Sequence, residues 1–148
     1  RGNVYNLFNQ IHKKRFMMIG SGNNKKSMAY VKNISSFIKF KMESQEKFEI
    51  YNYSDKPDLS MNELVELCEE EMKIQIPKIK IPYFFGLGAS FLINAIFTLM
   101  RKNSPINPMR VKKFCATTQF DSSKAFSEGF KPPFSIEEAL RETLKNEF

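Results

Sequence analysis

One long uncharged segment constrains the fold of this chain more than any other feature: eighteen residues, YFFGLGASFLINAIFTLM, run from Tyr83 to Met100 without a charged side chain. This length just reaches the lower limit for a membrane-spanning helix. However, the stretch lies in mid-chain behind Pro82, and Gly86, Gly88 and Asn94 interrupt it. We therefore predict a helix that is buried or faces a partner. Membrane contact is not expected, although peripheral contact stays open as the alternative.

Charge and cysteine content narrow the class of protein. The 148 residues suit one domain, and a net charge of +7 favours anionic partners such as nucleotides, nucleic acid or acidic lipid. The basic residues form short clusters without a zinc-finger spacing or an RNP-like motif, which argues against nucleic-acid binding. Two isolated cysteines, Cys68 and Cys115, are typical of a reducing cytoplasm, and one histidine makes a transition-metal site improbable.

Helix and strand signals alternate along the chain, which predicts an α/β fold of mixed helices and short strands. Two helices have a capping box, in which Ser60 pairs with Glu63 and Ser135 with Glu138. Other helices are predicted at 3–13, 34–42 and 83–100. The segments RFMMIG, SMAYV and FEIYNYS are predicted to be strands, and IPKIKIPY to be extended.

The segment GSGNNKKSMAYVKN, from Gly20 to Asn33, places a flexible cationic turn directly before an apolar run. One interpretation is that the turn meets a phosphate, which lysine can bind as a point charge. The alternative is a solvated hairpin whose lysines have no ligand. The residues alone favour that alternative.

Four motifs in this order resemble the carboxyl-terminal half of the extended short-chain dehydrogenase/reductases, the NAD-dependent epimerase/dehydratase family that acts on nucleotide sugars. They are the Gly-x-Gly turn before SMAYVKN, the segment ending in YNYS, the capped helix SMNELVEL, and FDSSKAFSEGFKPPFSIEEALRETL. The resemblance covers nearly the whole chain. It implies the substrate-binding part of that fold, without the Rossmann nucleotide-binding half.

The resemblance also implies three substrate-binding residues. Lys26 stands where the family usually has an arginine that reaches a substrate phosphate, and Asn3 stands near a turn that contacts the nucleotide. A basic residue before DSSKA contacts the diphosphate in many relatives. Arg110, Lys112 and Lys113 are eligible, and Arg110 is preferred because guanidinium matches phosphate geometry. Asn3 is equally interpreted as a helix cap, and Asn33 replaces the family's common aspartate.

The family's catalytic parts are missing from these residues. There is no glycine-rich dinucleotide turn opening a βαβ unit, and none of the five tyrosines has a lysine four residues later. We therefore expect residues 1–148 to be a single substrate-binding portion of a longer polypeptide. Its amino-terminal dinucleotide-binding domain, which would bind NAD, is absent, and no catalytic residue is assigned here. The fragment alone is predicted to be inactive.

The function that the resemblance implies is that of a NAD-dependent nucleotide-sugar epimerase or dehydratase, which oxidises the sugar transiently. The expected partners are a nucleotide-diphosphate sugar and the chain's own Rossmann domain. Without that domain, the faces of Phe37 and Phe40 and the FEIYNYS strand would lie in water, so the isolated chain is expected to be either a homo-oligomer or rearranged. The alternative is a non-catalytic relative that acts as a nucleotide- or partner-binding module.

Overall fold

The computed structural model describes residues 2–43, 48–104 and 106–148. In these residues the chain is mostly helical with very short strands, which confirms the predicted mixed class. The helices are α1 (Asn3–His12), α2 (Val31–Met42), α3 (Met61–Met72), α4 (Tyr83–Leu99), α5 (Pro108–Cys115), α6 (Ser123–Ser127) and α7 (Ile136–Glu147). The strands are β1 (Met18–Ile19), β2 (Lys25–Lys26), β3 (Leu59–Ser60) and β4 (Lys80–Ile81).

Both predicted capping boxes are confirmed. At the start of α3 the Glu63 amide donates to Ser60 Oγ at 3.2 Å, and the Ser60 amide donates to the Glu63 carboxylate at 2.7 Å. Ser135 and Glu138 do the same at the start of α7, at 3.1 and 2.8 Å. Each box satisfies amides that have no partner inside the helix.

The strands form two separate pairs. β1 lies parallel to β4, and β2 lies antiparallel to β3. The predicted SMAYV strand is wrong, because the strand consists of the two preceding lysines and Val31 already begins α2. The predicted FEIYNYS strand is also wrong, since residues 48–54 are described and none is in a strand.

The main core lies between α1, α3 and α7. Its buried members include Phe8, Ile11, Leu64, Cys68 and Leu140. Periodic apolar positions on these three helices form much of this core, so each helix covers the apolar face of the others.

A second, aromatic cluster replaces the expected FEIYNYS strand. Phe37 of α2 is only 6% exposed and packs against Phe130, Tyr51 and Tyr53, with ring centroids 5.0 to 5.3 Å apart. Phe40 is partly buried against the same cluster. The expectation that Phe37 and Phe40 lie in water is therefore wrong, because this segment turns its aromatic side chains onto α2.

The uncharged stretch forms helix α4, as predicted, and packs against α5 and β1. A Cβ added at Gly86 would lie 2.6 Å from Ile19 Cγ2, so the helix and the strand are in close contact. Most of α4 is nevertheless exposed, so the predicted burial is wrong for most of this helix, and the partner-facing alternative stays a prediction. Within the described residues, no helix combines the length and apolar character needed to cross a bilayer.

Candidate functional site

The Gly-x-Gly turn joins β1 to β2. Gly20 and Gly22 have φ angles of +82° and +77°, in the left-handed region that side chains rarely adopt. A Cβ at Gly22 would also lie 2.2 Å from Asn62 Oδ1. Conformation requires glycine at both positions, and lack of space requires it a second time at Gly22.

Hydrogen bonds hold this turn from two sides. The Gly20 amide donates to Ile81 O at 2.8 Å, and the Asn62 amide donates to Gly22 O at 3.0 Å. Lys80 Nζ donates to Ser21 O at 2.9 Å. Because β1 and β2 pair with other strands and not with each other, the turn is not a hairpin. The hairpin of the alternative interpretation is therefore wrong, and a ligand for the lysines stays a prediction.

A cavity of about 420 Å³ opens beside the turn. It falls within the range of small-molecule sites. The turn, the first residue of α4 and the last turn of α5 line it: Ile19, Gly20, Ser21, Asn24, Tyr83, Lys112, Cys115 and Ala116. The wall therefore combines hydroxyl, amide and ammonium groups with apolar side chains. Such a wall can hold an anionic group next to an apolar one.

Lys26 lies beside this cavity and supports its wall. Its Nζ donates to Lys113 O at 2.9 Å and to Ala116 O, both at the end of α5. Asn24 Nδ2 donates to Phe114 O at 2.8 Å in the same place. A cation at a helix C-terminus satisfies free carbonyls and complements the helix dipole. Burial lowers the pKa of Lys26, and the nearby Cys115 opposes that shift.

Of the three eligible cations on α5, the structure places Lys112 in the cavity wall. Arg110 is exposed and is not among the lining residues. Side chains two residues apart on a helix are rotated by roughly 200° about its axis, so Arg110 and Lys112 point to opposite sides of α5. Arg110 lies in the first turn of α5, where its amide donates to the Asn107 cap at 2.8 Å.

Asn3 lies apart from these residues. It is the exposed first residue of α1, and the cap position is Gly2, without a side-chain capping bond. The interpretation of Asn3 as the helix cap is therefore wrong. Its substrate contact stays a prediction, as do those of Lys26 and Arg110. The structure brings Lys26 to the end of α5 that lines the cavity, but it does not place Asn3 or Arg110 in that wall.

Sequence reasoning missed three residues of the site. Asn62 and Lys80 bind the turn, and Tyr83 lines the cavity. Asn62 and Lys80 lie about 40 and 60 positions along the chain from the turn that they bind, so no local pattern links them to it. Tyr83 had one local signal, because it follows Pro82 at the start of the uncharged stretch.

The thiol in the cavity wall is a poor nucleophile. Burial raises the pKa of Cys115, against an opposing effect of Lys26, so the thiol stays protonated at neutral pH. Its Sγ lies 3.3 Å from Ile19 O. Among the described residues no group of three His, Cys, Asp or Glu side chains is arranged to hold a metal ion. The side chains that line the cavity are suited to binding.

Comparison with known proteins identifies what the chain is similar to. No protein-family profile matches it. The chain is 46% identical over 149 residues to the N-acetyl-alpha-D-glucosaminyl-diphospho-ditrans,octacis-undecaprenol 4-epimerase of Escherichia coli O157:H7, with all of the chain aligned. The chain is therefore similar to a 4-epimerase, in keeping with its resemblance to the NAD-dependent epimerase/dehydratase family. It spans about 45% of the length of that curated relative.

Solved structures of this epimerase family share the fold. The human epimerase family protein SDR39U1 with NADPH matches 99% of the chain, over 44% of its own length, with a TM-score of 0.69 and 13% identity. The UDP-glucose 4-epimerase of Thermotoga maritima with UDP-glucose matches 97% of the chain, over 38% of its own, with a TM-score of 0.61 and 17% identity. The fold is that of the carboxyl-terminal portion of the extended epimerases.

Proposed function

We propose that this chain is the substrate-binding part of a NAD-dependent epimerase that acts on a sugar carried on a diphosphate. The observation that carries the proposal is the 46% identity, over the whole chain, to an epimerase of such a sugar. The cavity beside the Gly-x-Gly turn supports it, because Lys112 lines this cavity and Lys26 lies behind its wall.

Two kinds of group are supported as the carrier of the sugar through its diphosphate. The relative named above acts on a sugar linked through a diphosphate to undecaprenol, a polyprenyl lipid. The Thermotoga maritima structure was solved with UDP-glucose, a nucleotide sugar. We propose the polyprenyl carrier, since the relative with that substrate is far closer in sequence. The nucleotide sugar expected from the family resemblance is the second candidate.

The Gly-x-Gly turn lacks the arrangement of a dinucleotide-binding turn. In dinucleotide folds the glycine-rich turn opens a helix whose amino terminus meets the pyrophosphate, whereas here the Gly-x-Gly turn leads into strand β2. We infer that NAD binds outside residues 1–148 and that these residues alone, supplied with NAD, have no epimerase activity. The contribution of this chain is to bind the diphosphate and to orient the sugar, which lowers the entropic part of the barrier.

The substrate assay uses the protein as its gene encodes it. The purified protein is incubated with NAD and, in separate reactions, with N-acetylglucosaminyl-diphospho-undecaprenol or with UDP-N-acetylglucosamine. The product sugars are then separated from their 4-epimers. Conversion of the lipid-linked sugar supports the proposal, and conversion of the nucleotide sugar alone overturns the choice of carrier. Binding of either sugar without conversion would make the protein the non-catalytic module.

The first prediction concerns Lys112, the cation in the cavity wall. In the full-length protein, Lys112→Ala should raise KM about tenfold or more with little change in kcat, because a charge-assisted contact is worth roughly 1.5 to 3 kcal/mol. The matched control is Lys113→Ala, which removes the neighbouring charge outside the cavity wall. Equal KM values for the two variants would remove this cavity from the substrate site.

The family resemblance adds two variants to the same assay. If Lys26 and Arg110 contact the diphosphate, Lys26→Ala and Arg110→Ala each raise KM, as the resemblance predicts. Lys26→Ala should also lower stability, since Lys113 O and Ala116 O lose their donor. A stable Arg110→Ala variant with an unchanged KM would remove Arg110 from the site.

A further inference from the structure

Helix α4 is oriented with its smallest side chains toward the protein. The two residues that it buries are Gly86 and Ser90, and Ser90 Oγ donates back to Leu87 O at 2.7 Å. Its large apolar side chains point outward, with Phe84 82% and Leu99 88% exposed. An ordinary surface helix has the opposite arrangement, with its apolar face toward the core.

The outward face of α4 is apolar over the whole length of the helix. Its exposed large side chains are Phe84, Phe85, Phe91, Leu92, Ile96 and Leu99, followed by Met100. Seventeen helical residues extend for about 25 Å, and no charged residue interrupts them. Soluble proteins rarely expose a continuous apolar surface of this kind unless it binds something.

The charged residues that precede and follow α4 in the sequence are all basic. Residues 72–120 contain no Asp or Glu, although the chain has 16 of them, and they contain eight Lys and Arg residues: Lys73, Lys78, Lys80, Arg101, Lys102, Arg110, Lys112 and Lys113. Arg101 and Lys102 are exposed directly after the helix, and α5, which packs against α4, has three more. The surface partner that complements an apolar strip followed by exposed cations is an anionic lipid bilayer.

We propose that α4 lies in the interface of an anionic phospholipid membrane, with its exposed apolar face among the lipid chains and the exposed Arg101 and Lys102, which follow the helix, at the headgroups. The helix rests on the membrane and does not cross it. This inference goes beyond the proposed function and does not depend on it, because vesicle binding is measured without substrate. It gives a definite role to the peripheral contact that the sequence left open.

The test is sedimentation of the full-length protein with vesicles of phosphatidylcholine, with and without phosphatidylglycerol. Wild-type protein should sediment with the anionic vesicles, and Phe84→Ser should weaken that binding about tenfold or more by removing a lipid-inserted aromatic ring. The matched control is Phe48→Ser, which removes a phenylalanine that is also 82% exposed but lies outside α4. This control should bind like wild type.

A second pair of variants tests the cationic border. Arg101→Gln with Lys102→Gln should weaken binding to the anionic vesicles, whereas Lys13→Gln with Lys14→Gln should not. The control pair lowers net charge equally, is also exposed and includes the same left-handed backbone, with φ of +55° at Lys14 and +54° at Arg101. If both double variants lost vesicle binding equally, net charge alone would explain the loss, and the proposal would be overturned.

Other occupants of the α4 face give different results. If a second copy covers it, light scattering shows a dimer that Phe84→Ser dissociates, and no vesicles bind. If another part of the same polypeptide covers it, the wild-type protein is monomeric and does not bind vesicles. Either result overturns the membrane proposal. Loss of vesicle binding in Phe84→Ser with unchanged epimerase activity on a detergent-dispersed substrate would support it separately from the proposed function.

Discussion

At the scale of single residues, Asn33 shows how a departure from a family pattern can be a structural requirement. Its fully buried amide donates to Phe134 O at 2.9 Å and accepts from the Phe134 amide at 3.1 Å. It also donates to Asp55 Oδ1 at 2.9 Å. The aspartate that is common in the family could accept but not donate. Asn33 therefore fits the buried carboxylate of Asp55 beside it.

The other partners of Asp55 also favour an amide and not a carboxylate at position 33. Its carboxylate also accepts from the Tyr30 amide at 2.6 Å and from the Tyr53 hydroxyl at 2.7 Å. Burial raises the pKa of Tyr53, and the bond to Asp55 adds to that shift. The network joins α2, the segment before β3 and the turn before α7. A second carboxylate at position 33 would lie against the first in a site closed to water.

We predict that Asn33→Asp lowers the free energy of unfolding by about 3 kcal/mol, because it breaks two buried donor contacts and places two acids together. Urea unfolding at pH 7 measures this change. The control Asn52→Asp makes the same substitution at an exposed position and should change stability by less than about 0.5 kcal/mol. A similar small change for Asn33→Asp would show that the network tolerates an acid.

At the scale of elements, local sequence determines where helices begin, and packing determines which side they bury. The capping boxes of α3 and α7 lie within four residues each, so the sequence alone predicted them. The orientation of α4 depends on the shape of β1 and α5. A glycine and a serine let the helix approach Ile19 closely, and the larger side chains are left outside.

We predict that Ser60→Ala and Ser135→Ala each lower the free energy of unfolding by about 1 kcal/mol, since each removes a helix cap. Thermal or urea unfolding measures the change. Ser35→Ala is the control, because Ser35 is exposed inside α2 and its hydroxyl bonds only to Val31 O of its own helix in the structure. That change should be neutral or slightly stabilising. Equal effects at all three serines would contradict a capping role.

At the scale of the whole molecule, ion pairs join elements that are distant in the chain. Lys41 of α2 lies 2.6 Å from Glu49 and 2.7 Å from Glu128, and Arg141 of α7 lies 2.6 Å from Glu71 of α3. Hydrogen bonds from Lys41 lower the pKa of Glu49 and Glu128 and raise that of Lys41. These pairs are partly exposed, with side-chain exposures from 18% to 54%, so each adds only modestly to stability at neutral pH.

The pH dependence of unfolding follows from the direction of these shifts. A carboxylate whose pKa is lower in the folded protein contributes stability above its unfolded pKa, near 4.5, and loses it as pH falls through the folded pKa. We predict an unfolding midpoint that is level between pH 6 and 8 and falls below about pH 4.5. Glu128→Gln should flatten the acid decline, and the exposed control Glu66→Gln should not. An acid decline that is unchanged in Glu128→Gln would contradict this role of the pairs.

Much of the fold could be predicted because its signals are local. The apolar periodicity of α1 and α2, the caps of α3 and α7 and the uncharged run of α4 each lie within one element. The strands were predicted less well, because a strand needs a partner that may lie far along the chain. The alternating aromatic side chains of residues 48–54 pack against α2, and this segment does not pair with another strand. The pattern that predicted a strand therefore forms an aromatic cluster.

The candidate site was predictable only in part. The two glycines of the turn could be recognised, and Lys112 was one of three eligible cations on α5. The choice among those cations depends on which face of α5 meets the turn. Lys26 was expected at a phosphate. In the structure its Nζ donates to the carbonyls of Lys113 and Ala116, which lie 87 and 90 positions further along the chain.

The sequence by itself determined the capped starts of α3 and α7, the position of the glycine turn and the resemblance to the epimerases, because each depends on residues that lie close together or on a matching order of motifs. Only the tertiary structure decided the partners of Lys26, the burial of Asn33 and Phe37, and the outward apolar face of α4. Those features depend on contacts between distant segments, where the space and hydrogen-bonding groups of one element select the side chains of another.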